Sequence, residues 1–286
     1  MDTALLVSGL KGALTLELLP KAAWPTSIYF YKNFGEHPSA HERLVEVICG
    51  RGIEVDPRRE ALRGRHDIVL AVGWQYLIPG ASNLIVLHDS LLPRFRGFAP
   101  TVTALIRGET SIGVTAIRAV REIDSGPIIC QRRLDIVPPI SIEQAFKSLA
   151  SCYTACLEEV YRLGLDALTT GEPQDESEAS YSIWRDELDF SVDWELSANE
   201  IQRHILAVGY HYQGARTICN GTEFKILSAE VIDDIRFENR QPGKVWRFLE
   251  SNCADVVCGS GMLRIVLSDP QHPTRQTVKK LRTRFG

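Results

Sequence analysis

The chain has 286 residues, 44% of them hydrophobic and 24% charged, with a formal net charge of −4. That balance supplies enough apolar surface for a core and excludes a chain that is disordered throughout. No apolar run reaches the roughly 18–20 residues that a bilayer span needs, the opening MDTALLVSGLKG lacks the basic region of a secretory leader, and the total charge gives no sign of nucleic-acid binding.

Ala4–Ser8 reads as a first strand, Leu14–Leu19 as a helix stopped by Pro20, Ser27–Tyr31 as a second strand and Ala40–Cys49 as a helix ending at Gly50. Ile53–Val55 is short and extended. Ile68–Val72 and Leu84–Leu87 are near-continuous apolar runs, the pattern of strands buried on both faces. Thr101–Arg107 is helical up to Gly108. Gly113–Arg118 and Pro127–Ile136 straddle Asp124-Ser125-Gly126 as paired strands, and Ile142–Leu163 is a long amphipathic helix. This alternation predicts an α/β domain over 1–170, with a Rossmann-like, mostly parallel sheet and helices on both faces.

The pattern then changes. Residues 171–200 carry ten acids against one base, Arg185, a net of −9. They read as an acidic linker that Tyr181, Ile183 and Trp184 should dock onto a surface, with helical periodicity returning at Ser197–Val208. From 201 to 286 short strands follow: Ala215–Cys219, Phe224–Val231, Gly243–Leu249, Ala254–Cys258 and Leu263–Leu267. Asn220-Gly221 is a hairpin signal between the first two. The expectation is a small C-terminal β-barrel of the oligonucleotide/oligosaccharide-binding type. The seven cysteines are odd in number and none has CxxC spacing. They read as buried free thiols in a reducing cytoplasm, with no metal site.

The densest chemical signal runs from Leu87 to Pro100, LHDSLLPRFRGFAP. His88 ends a buried strand, and ligand crevices of open α/β sheets lie at the carboxyl ends of strands; a purely structural histidine is the other reading. Asp124 puts a carboxylate into a tight loop, as a catalytic group or as a turn residue. Arg94 and Arg96 flank Phe95 and suit phosphate or carboxylate recognition, or else belong to a solvated loop. Ser8-Gly9-Leu10-Lys11-Gly12 opens a helix whose N-terminus favours anions, without a complete dinucleotide or P-loop fingerprint.

Together, HxSLLPxxRGxxP, the Gly113-Val114-Thr115 strand and the DSG that follows His88 by 36 residues resemble the folate-dependent formyltransferase family. Pro173-Gln174-Asp175-Glu176, Ala179-Ser180-Tyr181, Asn220-Gly221-Thr222 and Pro242-Gly243-Lys244-Val245 resemble the linker and C-terminal barrel of its tRNA- and sugar-modifying members, so the likeness covers nearly the whole chain. It implies acyl transfer from the co-substrate 10-formyltetrahydrofolate to a primary amine. His88 would hydrogen-bond the formyl oxygen or manage the amine proton, and Asp124 would orient the imidazole. The pterin would lie along Trp74, Gln75, Tyr76, Leu77 and Ile78 and along Arg121, Glu122 and Ile123, held largely by backbone groups. Trp74 and Tyr76 read equally well as core aromatics. The amine would lie near Ser8, Gly9, Leu10, Ser90, Arg94, Arg96 and Gly97.

One position departs from the resemblance. The family pattern is Asn-x-His, and Val86 stands at the Asn position. Loss of one oxyanion donor costs about 10²–10³ in turnover. Either a backbone N–H, Ser90 or Gln75 replaces it, or the chain is a weak or non-catalytic, ligand-binding relative. Among amines, an amino sugar on a nucleotide is expected ahead of methionyl-tRNA. Residues 201–286 hold 13 bases and 8 acids, but five of those bases (Arg275, Lys279, Lys280, Arg282, Arg284) lie in the tail. The near-neutral remainder and the linker of −9 oppose binding of RNA phosphates. No nucleic-acid or membrane partner is expected, and a homodimer is left open.

Overall fold

The computed structural model describes the chain except for residues 33–36, 57–65, 77, 79–81, 210–211, 250–251 and 269–282. The chain forms two compact units. The first takes Met1–Ala104, Thr110–Ile136 and Gln144–Trp184; the second takes Leu105–Glu109, Val137–Glu143 and Arg185–Gly286. The acidic segment 171–200 is therefore divided between them after Trp184.

In chain order the first unit begins with β1 (Thr3–Ser8), α1 (Gly9–Leu18), β2 (Ser27–Tyr31), α2 (Pro38–Ile48), β3 (Gly52–Glu54), β4 (Ile68–Val72) and β5 (Leu84–His88). There follow β6 (Arg96–Gly97), α3 (Pro100–Arg107), β7 (Ser111–Arg118), β8 (Ile128–Asp135), α4 (Ile142–Leu163) and β9 (Tyr181–Ser182). The main sheet has the order β3-β2-β1-β4-β5-β7-β8. Its first five strands are parallel and β7 and β8 are antiparallel. β1 and β4 are buried along their whole length, as their unbroken apolar runs require of strands with both faces covered. The helix expected to begin at Leu14 begins at Gly9. Gly12 explains this, because an added Cβ would come within 2.9 Å of the Val7 Cβ. Close approach to β1 selects a glycine inside the helix, against its low helical propensity. α4 buries Ala145, Phe146, Leu149, Tyr153, Cys156, Leu157 and Val160, the three- and four-residue spacing of one apolar stripe.

Tyr181, Ile183 and Trp184 do not bury themselves; they are 64%, 78% and 63% exposed. Their segment is held by its backbone instead. β9 pairs with β6, and the amides of Arg96 and Phe98 donate to the carbonyls of Ser180 and Ser182 at 2.8 and 3.0 Å. An unpaired two-residue edge offers main-chain partners that need no apolar side chain.

The second unit contains α5 (Ala198–Ala207), β10 (Arg216–Cys219), β11 (Thr222–Ile232), β12 (Val245–Phe248), β13 (Cys253–Val257) and β14 (Met262–Ser268). Ser197 and Glu200 form a reciprocal capping box at the start of α5, satisfying two otherwise unpaired amides. Asn220 and Gly221 have φ of 50° and 78°, as the two-residue hairpin turn demands. The strand pattern predicts a barrel; the structure has a curled antiparallel sheet, β10-β11-β14-β13-β12, a half-barrel whose edge strands do not pair with each other. The last residues cover both edges. Gly286 and Ile218 exchange backbone hydrogen bonds of 3.0 and 3.2 Å, and Val245 donates to Thr283 while Phe285 donates to Gly243.

Among the described residues no helix is long and apolar enough to cross a membrane. The described cysteines are free; Cys152, Cys156, Cys219 and Cys258 are buried, whereas Cys49 is exposed, in contrast to the expectation of burial. It occupies the left-handed C-cap of α2 at φ 50°, outside the helix's apolar stripe.

Candidate active site

β5 carries His88 to the carboxyl end of the parallel strands, where its register partner on β7 is Thr115. The imidazole is buried, at 6% exposure. Nε2 lies 2.9 Å from the Phe95 carbonyl oxygen. A carbonyl only accepts, so Nε2 carries the hydrogen and donates. The other ring nitrogen, Nδ1, lies 3.5 Å from Oδ2 of Asp124. The two residues that sequence spacing separates by 36 positions thus meet through one ring edge. The intervening turn is tied down locally: Ser90 Oγ donates to the Arg94 carbonyl at 2.7 Å, and Thr115 Oγ1 donates to the Ser90 carbonyl at 2.7 Å.

Asp124 sits at φ 49°, a left-handed conformation that Asp tolerates better than most residues. Gly126 is required two positions later, because a Cβ there would lie 1.7 Å from the Arg118 carbonyl oxygen. The carboxylate is held from a second side by the Gly97 amide, which donates to Oδ2 at 2.8 Å. Gln174 holds the loop's backbone, its Nε2 donating to the carbonyls of Asp124 and Gly126 at 2.7 and 2.8 Å.

Arg96 does not fit the substrate-binding role expected of it. It is 1% exposed and its whole fork is engaged. Nη1 and Nη2 donate to the two carboxylate oxygens of Glu176, each at 2.8 Å. Nε and Nη2 donate to Gln174 Oε1, and Nη1 also reaches the Tyr181 hydroxyl. The hydrogen bonds to Glu176, opposed by burial, raise the guanidinium pKa above its ordinary value. Arg96 therefore clamps the segment that carries Gln174, and Gln174 fixes the loop that carries Asp124. Arg94 is exposed, with its guanidinium 4.8 Å from the Phe95 ring centre. Gly97 acts through its amide, and a Cβ there would meet the Ser182 carbonyl at 2.4 Å.

Ser8, Gly9 and Leu10 also lie differently from expectation: all three are buried, and Ser8 Oγ donates to the Gly73 carbonyl. The chemistry of that loop belongs to Lys11, which the sequence reading passed over. Its ammonium lies 2.8 Å from Asp89 Oδ2, and Thr101 Oγ1 donates to the same oxygen at 2.6 Å. Burial alone would raise the pKa of Asp89; Lys11, followed by His88 and Thr101, outweighs it and holds the carboxyl at about 2. The sequence signal was available in the acid directly after His88, but nothing local shows that a lysine 78 positions earlier meets it.

Two residues before His88, the same strand face is apolar. Trp74, Ile78, Val86 and Ala119 are half-buried against a cluster that includes Ala4, Leu6, Tyr29, Val69 and Ala71. The Trp74 ring stands edge-on to Tyr31 at 4.7 Å, and Tyr76 does the same at 5.3 Å, so both are partly core aromatics. Gln75 is exposed, and its backbone N–H donates to the Tyr31 hydroxyl at 3.3 Å. The indole Nε1 of Trp74 is buried without a hydrogen-bond partner. Arg121, Glu122 and Ile123 are exposed in the loop leading to Asp124. Leu77 lies outside the described residues.

Residues 58–160 match the family described as formyl transferase, and residues 186–284 match the formyl transferase C-terminal domain. The methionyl-tRNA formyltransferase of Thermotoga neapolitana is 32% identical over 222 residues, covering 73% of this chain and 68% of that protein. The methionyl-tRNA formyltransferase of Methylococcus capsulatus is 30% identical over 220 residues, covering 74% and 70%. The one from Sorangium cellulosum is 29% identical over 206 residues, covering 70% and 66%. The chain thus spans about two thirds of the length of these curated relatives. Among solved structures, an N-formyltransferase from Helicobacter canadensis in complex with folinic acid and dTDP-3-aminofucose gives a TM-score of 0.65 at 16% identity, over 93% of this chain and 99% of that one. HypX from Aquifex aeolicus in complex with tetrahydrofolic acid gives 0.63 at 18% identity, over 93% of this chain and 43% of that one. At these identities the solved structures share the fold.

Proposed function

The chain belongs to the folate-dependent formyltransferase family, and we propose that it moves the formyl group of 10-formyltetrahydrofolate to the primary amine of an amino sugar carried on a nucleotide. The observation that carries the transfer chemistry is the His88–Asp124 contact at the carboxyl end of the parallel strands. The half-buried apolar surface of Trp74, Ile78 and Val86 suits a flat heteroaromatic ring, and the idle indole N–H beside it suits a carbonyl acceptor. These residues fit the co-substrate.

When bound, 10-formyltetrahydrofolate supplies an acyl carbon already attached to nitrogen; on transfer that nitrogen regains the proton the amine gives up. His88 keeps its Nε2 hydrogen on the Phe95 carbonyl, so Nδ1 is the atom that takes and returns a proton. Asp124 faces that nitrogen and stabilises the ring while it is charged. The Gly97 amide and Gln174 keep the carboxylate in place, so that its orientation is set before the amine arrives. Exclusion of water follows from the burial of His88, Asp89 and Ser90.

The choice of a small amine rests on charge. In the second unit Arg216, Arg236, Arg240, Arg247 and Arg264 are each ion-paired with an Asp or Glu. Those cations are already neutralised, while binding of tRNA draws on several free ones. The half-barrel is read as an opened sheet of the oligonucleotide/oligosaccharide-binding type in which these five described cations are held by acids. A second reading, transfer to methionyl-tRNA, is favoured by the names of the relatives that are about 30% identical. The deciding experiment offers the protein 10-formyltetrahydrofolate with nucleotide-linked amino sugars in one arm and initiator methionyl-tRNA in the other. Formylation confined to the amino sugars is expected. Formylation of the tRNA, with binding that falls steeply as salt rises, replaces this reading with the second.

A further inference from the structure

Resting on the formyl-transfer reading, we infer that Trp74 supplies the oxyanion donor: its indole N–H hydrogen-bonds the formyl oxygen while charge develops there, the task that a valine at position 86 cannot perform. Attack on a formyl carbon places negative charge on its oxygen, and a preorganised donor at that point is among the largest contributions to such catalysis.

Four other donors described at this strand end are committed. His88 Nε2 donates to Phe95, Ser90 Oγ to Arg94, the Gly97 amide to Asp124 and Thr101 Oγ1 to Asp89. Val86 has no donor, and the Gln75 side chain is exposed. Trp74 Nε1 differs, being buried and unpartnered. A buried N–H left without an acceptor costs about 1–3 kcal/mol, and such groups in folded proteins call for an explanation. Here the explanation is an acceptor that arrives with the co-substrate.

Placement agrees. Val72 on β4 is the register partner of Leu87 on β5, so Gly73 comes level with His88. The chain then turns, and Trp74 folds back onto the cluster that contains Ala71, whose own register partner is Val86. The indole therefore packs on the same sheet face as position 86, and position 86 shares its strand face with His88. The donor has moved from a strand side chain to the loop that follows the neighbouring strand. Arg118 Nε is also buried without a partner, but Arg118 is paired with Ile85, and its guanidinium is drawn to the Leu168 carbonyl at 2.9 Å.

The test is a titration of the full-length protein, labelled with ¹⁵N, followed at the Trp74 indole resonance, which is identified by its loss in Trp74→Phe. One arm uses 10-formyl-5,8-dideazafolate, a stable compound that carries the formyl group; the other uses the same compound without the formyl group. The indole proton should move downfield with the formylated compound and stay near its free position with the other. Trp74→Phe should bind the formylated compound with a Kd within about threefold of the natural protein, while single-turnover transfer falls by about 10²–10³-fold. Equal shifts with both compounds would place the acceptor on the heterocycle and overturn the inference, as would an undiminished rate in Trp74→Phe. If Trp74→Phe melts early, Trp74→Tyr serves for assignment and the two-compound titration of the natural protein decides. Failure of the natural protein to bind either compound refutes the formyltransferase reading itself, a result distinct from binding both with an unmoved indole.

Discussion

Around His88 the polar groups are closed among themselves: imidazole to Phe95 and Asp124, Asp124 to Gly97, Gln174 to the Asp124 loop and Arg96 to Gln174 and Glu176. Around Val86, on the same strand two residues earlier, the described side chains are mostly apolar and half-buried, and Trp74 Nε1 is buried there without a partner. A closed network fixes geometry, because each member is held by the next and no rotamer is free to wander. An open apolar face with an idle donor is the form of a ligand site, where the missing partner comes from outside. Substitution in the first region should therefore cost rate at the ring and stability at the clamp, and in the second it should act mainly on the bound ligand.

The largest effect is expected at the ring itself. His88→Asn and Asp124→Asn should each lower single-turnover formyl transfer by about 10²–10⁴-fold, the usual worth of a positioned acid–base group. Thermal melts should remain close to the natural protein. A full rate in either variant would remove that residue from the chemistry. Next comes the clamp. Arg96→Met keeps much of the side-chain volume but strips the hydrogen bonds from Gln174 and Glu176, and should lower unfolding free energy by about 3 kcal/mol. Its rate should fall too, since the Asp124 loop loses its tether. Urea unfolding together with turnover checks this, and a variant as stable as the natural protein would show that the network is decoration.

Asp89 gives a smaller, pH-dependent effect. Its ordinary value of 3.8 is lowered to about 2 in the fold. A carboxyl depressed by folding adds stability above its unfolded pKa and loses it as pH falls through the folded one. Roughly 2 kcal/mol should therefore disappear between about pH 4 and pH 2. In Asp89→Asn that part of the slope should vanish, as unfolding midpoints measured across the window would reveal. The smallest effect on rate is expected at Val86→Asn. With Trp74 already supplying a donor, transfer should change by less than about tenfold, while a poorly satisfied buried amide costs about 1–3 kcal/mol in stability. A large gain in rate would mean that position 86 faces an oxyanion that lacks a donor.

Much of the first unit could be read from local pattern. Ile68–Val72 and Ile142–Leu163 coincide with a strand and a helix of the structure, because continuous apolar runs and a long amphipathic stripe each admit few alternatives. Local pattern starts the helix Gly9–Leu18 five residues late, since glycine discourages helix locally and only the approach to Val7 explains it. At the site, His88 and Asp124 were visible as a strand-end histidine and a loop carboxylate. Gln174 is legible only as part of the linker resemblance and not as a site residue, because its role exists only once Arg96 and the Asp124 loop surround it.

Neighbours within a few positions suffice to set the order of strands and helices, the hairpin at Asn220-Gly221 and the residue types available for acyl transfer. Tertiary structure decided which of those residues are free to act. Arg96 became a buried clamp instead of an anion site, Ser8 was spent on a backbone carbonyl, and the edges of the half-barrel were covered by the chain's last residues. The reason is physical: a polar side chain that leaves water takes whatever partner the fold brings within about 3 Å, and that partner lies dozens of residues away in sequence.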